Sequence, residues 1–227
     1  MTDGPGPSST SRPAGPGAPP PGYPVNLVVA GRRVVMVGAG RIAARKVEAL
    51  LAAGAVVHVV APRLGDEITA WRDAGRLTAD ERPFRDDDLD GAWLAFTAAD
   101  DPAVNRSVYE AGEARRMFVN SADDPANCSL TLMSVVRRGD LQIAIGTGGR
   151  SPAMATHLRR RLTEELGPEW KALLDVLADV RDAIRAGGES SEAYDWEPAF
   201  SDEILELVRQ NRLDEARAEV RRCLGLP

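Results

Sequence analysis

Val34-Val35-Met36-Val37-Gly38-Ala39-Gly40-Arg41-Ile42-Ala43-Ala44-Arg45-Lys46 is the stretch on which the fold turns. An apolar run without polar alternation breaks at glycine, and a helical pattern then spans Ile42 to Ala53, with Ile42, Val47, Leu50 and Leu51 on one face. Gly54 separates it from a second apolar run, Val56 to Val60. Strands apolar on both faces belong to a parallel sheet covered by helices on each side, so this unit opens a doubly wound α/β fold.

Downstream the alternation continues. A helix is expected from Asp66 to Ala74, a weaker strand from Leu77 to Glu81 and a clearer one from Trp93 to Thr97. Asp101-Pro102 reads as an N-cap with proline in the first helical position, opening a helix to about Arg115. Met117 to Asn120 is the fifth strand. Two β-rich runs, Leu130 to Val136 and Leu141 to Ile145, then flank Arg137-Arg138-Gly139-Asp140 as a hairpin, and Ser151-Pro152 opens a helix to about Leu166. Two or three further helices follow, the last running from about Asp214 to near Gly225. Upstream, residues 1–22 are almost entirely Pro, Gly, Ser, Thr and Ala, a composition expected to be disordered because it buries too little apolar surface. The expected layout is a Pro/Gly-rich tail at 1–22, a Rossmann domain at 23–128, a hairpin and helix at 129–166 and a small helical domain at 167–227.

Composition narrows the function classes. A formal net charge of −6 argues against nucleic-acid binding, which calls for a basic excess or a basic face. No unbroken apolar run reaches the ~20 residues of a membrane helix. Cys128 and Cys223 are the only cysteines, too few for a disulfide framework or a paired-cysteine metal site, and a reducing cytoplasm fits them best. His58 and His157 are the only histidines, so no zinc-type constellation is expected, and both read as packing or surface residues.

The glycine turn carries the chemistry. A dinucleotide site needs a tight turn after the first strand, a position without a side chain beside the pyrophosphate, and a small residue where helix meets strand; Gly38, Gly40 and Ala43 stand in that order. The helix N-terminus adds free N–H donors and partial positive charge. The acidic residue expected about 20 positions on, to bind the adenine ribose, is missing from His58-Val59-Val60-Ala61-Pro62. Arg63 follows and suits a 2′-phosphate, so the residues leave NAD and NADP open.

The run from Gly31 to Lys46, with Leu50-Leu51-Ala52-Ala53-Gly54-Ala55, resembles the opening of the precorrin-2 dehydrogenases, the dehydrogenase module of siroheme synthases. Trp93-Leu94-Ala95 with Asp100-Asp101 and Asn105, Val119 to Pro125, and Leu141 to Ile145 with Thr147 to Pro152 fall in the same order. The resemblance covers about Tyr23 to Leu166. It implies a Rossmann-like fold with a β-hairpin and helix forming a dimerisation region, a homodimer, and NAD-dependent oxidation of precorrin-2 to sirohydrochlorin for siroheme or cobalamin. Some members also insert ferrous iron. The candidate cofactor contacts are Gly38, Ala39, Gly40, Arg41, Ile42, Ala61, Pro62, Thr97, Asp100 and Asn105. Asn120 and Thr147, Gly148, Gly149, Arg150 and Ser151 are the candidate substrate contacts.

Asp123 follows the fifth strand, at the carboxyl edge where open α/β sheets bind ligands. It matches the family's functional aspartate, and a carboxylate there suits the proton released in a dehydrogenation. The plainer alternative is a cap on the turn before Asp124-Pro125. The glycines of Thr147 to Pro152 expose backbone N–H groups that favour carboxylates, with Arg150 and Arg137 or Arg138 as partners for an anionic tetrapyrrole; the alternative is a loop ordered for hairpin geometry. Arg159-Arg160-Arg161 reads as a solvated helix face, and Cys128 as a small buried residue rather than a nucleophile. The rival function is a non-catalytic NAD(H)-sensing regulatory module.

Overall fold

The computed structural model describes residues 22–122 and 124–226, in two compact units with their boundary between Leu132 and Met133. Residues 1–21 of the expected 1–22 tail and the candidate Asp123 lie outside the described residues.

The first unit alternates β1 (Arg33–Val37), α1 (Arg41–Ala52), β2 (Val56–Ala61), α2 (Asp66–Asp73), β3 (Thr78–Glu81), β4 (Leu94–Thr97), α3 (Pro102–Ala114) and β5 (Phe118–Ser121). The five strands are all parallel in the order β3-β2-β1-β4-β5, so the chain reverses its direction of travel between β1 and β4. This is the Rossmann-like α/β fold read from the apolar runs. Each face of β1 and β4 has its own core. Val34, Met36, Val57, Val59 and Phe96 pack with Ala43, Val47 and Leu50 of α1, while Val35, Val37 and Ala95 pack with Val108 and Ala111 of α3. Asp101 caps α3 by accepting from Ala103 N–H at 2.8 Å, with Pro102 behind it, as the dipeptide predicts.

The outer part of the α3 face has a polar cover. His58 on β2 meets Thr78 Oγ1 at 2.8 Å, and Arg82 donates to Asp80 at 2.6 Å and to both oxygens of buried Asp88 at 2.6 and 3.0 Å. Burial foremost, and then the Arg33 guanidinium, push His58 below the ordinary histidine range. Burial works to raise Asp88, but the Arg82 hydrogen bond and the Arg85 N–H outweigh it and hold the carboxyl below its usual range.

The second unit holds the hairpin β6 (Ser134–Arg138) and β7 (Leu141–Ile145), then α4 (Pro152–Glu165), α5 (Glu169–Ala186), α6 (Asp202–Arg209) and α7 (Leu213–Cys223). The first hairpin strand starts four residues later than the apolar run suggests. Ser129 and Leu130 both donate their N–H to Val119 O, at 2.9 and 3.0 Å, so the run from Leu130 is tied to β5 and only Ser134 onward pairs with β7. Leu173, Val176, Val180, Ile204, Val208, Ala216 and Val220 form a separate core among α5, α6 and α7. No helix among the described residues is long and apolar enough to cross a membrane.

Candidate active site

At the reversal point between β1 and β4 the loops at the carboxyl ends of the strands enclose a cleft of about 650 Å³. Gly38, Ala39 and Gly40 form one wall, Ala61 to Gly65 a second, and Ala98 to Asp101 a third, with Pro83 and Phe84 at the lip. The loops interlock by backbone contact. Gly38 has φ of +105°, and a Cβ on it would meet Ala98 O at 2.5 Å. A Cβ on Gly65 would meet Ala39 O at 2.6 Å. Gly40 is different: a Cβ there would meet nothing within 4 Å, so the space beside it is open.

Gly40 is also the N-cap of α1, and no side chain caps that helix. The first N–H groups of a helix have no intrahelical acceptor, so they point outward with the positive end of the dipole. Ala43, fully buried one turn in, brings the helix close to β1. An uncapped helix start beside an open glycine suits a pyrophosphate, and these residues fit a dinucleotide. Arg41 and Ile42 sit exposed on the same turn; Asp100 lines the cleft beside Ala61 and Pro62, as does Arg63.

Thr97 and Asn105 are turned inward instead. Thr97 is fully buried and its hydroxyl donates to Asn105 Oδ1, which also accepts from Ala99 N–H at 3.0 Å, while Asn105 Nδ2 donates to Ala99 O at 2.9 Å. Both polar ends of the amide are therefore engaged in holding the loop after β4. Their place is behind the cleft wall, which sequence position alone does not reveal.

Asn120, on the α1 face of β5, is also occupied. Its Nδ2 donates to Leu130 O at 2.8 Å and its Oδ1 accepts from Lys46 Nζ at 2.7 Å. Lys46 lies with its ammonium 5.8 Å from the centre of the Phe96 ring. Helical spacing marks Lys46 only as a polar position; its meeting with residue 120 needs the fold. Cys128 ties the same loop: its Sγ accepts from Ser121 N–H at 3.1 Å and faces the Ser121 and Asp124 carbonyls at 3.2 and 3.3 Å. Burial pushes its thiol up, so it stays protonated and un-nucleophilic at neutral pH. Ser121 Oγ, at the end of β5, is buried without a hydrogen-bond partner among the described residues.

Thr147 to Ser151 belongs to the second unit. Gly148 and Gly149 have φ of +59° and +73°, and the loop folds back so that Ser151 N–H donates to Thr147 Oγ1 at 3.3 Å. Ser151 Oγ accepts from Met154 N–H at 3.1 Å and caps α4. Gly148, Gly149 and Arg150 are exposed. Arg138, an anion partner by its sequence position, is engaged elsewhere: it donates to Leu166 O and Thr163 O, both at 2.6 Å, closing the C-terminus of α4. Arg137 remains exposed, and so does His157.

Comparison with known proteins bears on this geometry. Residues 25–134 match a family model described as NAD(P)-binding, and residues 138–165 match the sirohaem biosynthesis protein central model. Together they take in more than half of the chain. The chain belongs to the siroheme synthase and precorrin-2 dehydrogenase family. Within this family it is 36% identical over 206 residues to the siroheme synthase of Xylella fastidiosa (strain M12), covering 89% of this chain and 43% of that one. With the siroheme synthase of Escherichia coli (strain K12 / DH10B) it shares 37% over 193 residues, or 83% of this chain and 42% of that one. The chain thus spans less than half the length of these curated relatives. Among solved structures, SirC, a precorrin-2 dehydrogenase, superposes with a TM-score of 0.64 at 26% identity, over 89% of this chain and 97% of that one. The family match extends from the cofactor turn through the hairpin and α4.

Proposed function

We propose that this protein oxidises precorrin-2 to sirohydrochlorin with NAD, as a cytoplasmic homodimer serving siroheme or cobalamin synthesis. The observation that carries the reading is the cleft at the reversal point, where the uncapped start of α1 and the open Gly40 offer backbone donors to a pyrophosphate. Similarity to siroheme synthases over most of the chain supports the substrate class. On this reading residues 23–128 bind the dinucleotide, 129–166 form the dimerisation region and 167–227 a helical domain.

Oxidation removes one hydride and one proton from precorrin-2. NAD, when bound, takes the hydride. Gly38, Ala39, Gly40, Arg41 and Ile42 hold the pyrophosphate; Ala61, Pro62 and Asp100 flank the rest of the dinucleotide, and Thr97 and Asn105 keep the wall carrying Asp100 in place. Asp123 accepts the proton. Asn120 holds the strand that leads to it, and Thr147, Gly148, Gly149, Arg150 and Ser151 receive substrate carboxylates on backbone N–H groups and the guanidinium.

Purified protein given precorrin-2 and NAD should produce NADH and the sirohydrochlorin spectrum in equal amounts. Cofactor binding without turnover would favour an NAD(H)-sensing module and end the enzymatic reading. Replacing Asp123 by Ala is expected to cost about 100-fold or more in kcat while NAD affinity holds, in line with the worth of a positioned general base. Undiminished oxidation by that variant would remove Asp123 from the chemistry. Ferrous ion added after the oxidation reads out iron insertion in the same cuvette.

A further inference from the structure

Lys46 projects from the cofactor helix onto the strand that leads to the candidate base. Its position on α1 faces a core: Ala43, Val47 and Leu50 nearby are buried. An apolar side chain would fill a packing position there without the cost of drawing an ammonium from water. Lys46 instead bonds to Asn120 Oδ1 at 2.7 Å across a sequence separation of 74.

That bond decides which way the Asn120 amide points. An ammonium only donates, so it must meet the amide oxygen; the Leu130 carbonyl only accepts, so it must meet the amide nitrogen, which it does at 2.8 Å. The amide so oriented joins α1, β5 and the returning segment 128–130. Segment 128–130 is also held by Val119, whose carbonyl accepts from Ser129 and Leu130 and whose N–H donates to Ser129 Oγ at 2.9 Å. The loop between Ser121 and Cys128 is thereby closed at its neck, where the Cys128 thiol adds the bonds to Ser121 and Asp124.

We infer that Lys46 is a positioning residue for the oxidation: through Asn120 it fixes the neck of the 121–128 loop and couples that loop to the helix on which the dinucleotide rests. The inference deepens the functional reading above and rests on it for its kinetic consequence. A reacting group displaced by about 1 Å loses roughly two orders of magnitude in rate, so a loosened neck acts on kcat.

The test uses the full chain. Lys46→Met is expected to lower kcat about tenfold or more with the KM for NAD unchanged within about twofold, and Lys46→Arg to recover most of the loss. Combined with Asn120→Leu, Lys46→Met should cost no more than the worse single change, since the two residues act as one unit. Additive losses, or a Lys46→Met enzyme with normal kcat, would overturn the inference. Hydrogen exchange gives a readout apart from turnover. The segment 119–130 should exchange faster in Lys46→Met and return to normal in Lys46→Arg, with β1 and β2 unchanged. Unaltered exchange at 119–130 would overturn the coupling. Should the unmodified protein oxidise no precorrin-2, the functional reading fails alone and the exchange comparison still decides the role of Lys46. If Lys46→Met does not fold, Asn120→Leu carries both measurements with the same expectations.

Discussion

In β4 every residue is buried, and in β1 every residue but Arg33, whereas across β6, β7 and α4 only Val136 and Ala155 are. The nucleotide-binding unit closes both faces of its inner strands with its own helices. The hairpin has α4 packed against it, its two outer strand edges pair with no strand among the described residues, and a two-stranded ribbon is marginal by itself. Met154, on α4, is 56% exposed, and Val135, Ile143 and Ile145 are only partly covered. The contrast teaches how differently the two regions are covered: one closes its strands within its own core, while the other keeps a partly exposed apolar face, which the proposed homodimer would bury.

The sharpest way to test self-sufficiency in the first unit is to separate the two glycines that flank Ala39. Gly38→Val places a Cβ against Ala98 O in a left-handed backbone conformation and should cost roughly 3 kcal/mol or more in urea unfolding, along with cofactor binding. Gly40→Ala enters open space at a φ of −79°, so stability should hold within about 0.5 kcal/mol while NAD affinity falls about tenfold. Equal stability losses in the two variants would dissolve the distinction between a packing glycine and a ligand glycine.

For the hairpin and α4, Met154→Arg puts a charge on the exposed face. Sedimentation should show a shift from dimer towards monomer, with NAD affinity unaltered because the cofactor cleft lies wholly in the other unit. An unchanged mass would move the dimer contact off this face of α4.

The smallest expected effect is a pH dependence, with its step nearest neutrality set by His58 in the first unit. His58 binds its proton less readily folded than unfolded, so its contribution is full above the ordinary pKa of about 6.5 and declines as pH falls below it. Asp88 is depressed in the fold, so its contribution persists above the usual carboxylate range and is lost only in stronger acid. Thermal unfolding followed from pH 8 to 3 should therefore show two successive losses. His58→Gln should remove the first and leave the second; an unaltered first step would place its origin elsewhere.

Much of this was legible residue by residue. The apolar runs, the glycine turn, the absence of an acid after β2 and the two capped helix starts at Asp101 and Ser151 are local features, each decided by neighbours a few positions away. Side-chain destinations were harder to read. Thr97 and Asn105 look like cofactor contacts in sequence but bond to each other and to Ala99. Arg138 looks like an anion partner but terminates α4.

What the amino-acid order determined alone is the alternation of strand and helix, and with it a parallel sheet and a glycine turn at the start of α1, because periodicity and glycine placement act over single turns of backbone. Only the tertiary structure decided that Lys46 meets Asn120, that Gly38 and Gly65 serve loop contact while Gly40 faces open space, and that Ser129 and Leu130 are held by β5. Those outcomes depend on strand order, which brings residues tens of positions apart within hydrogen-bond reach, and a one-dimensional pattern carries no distance between them.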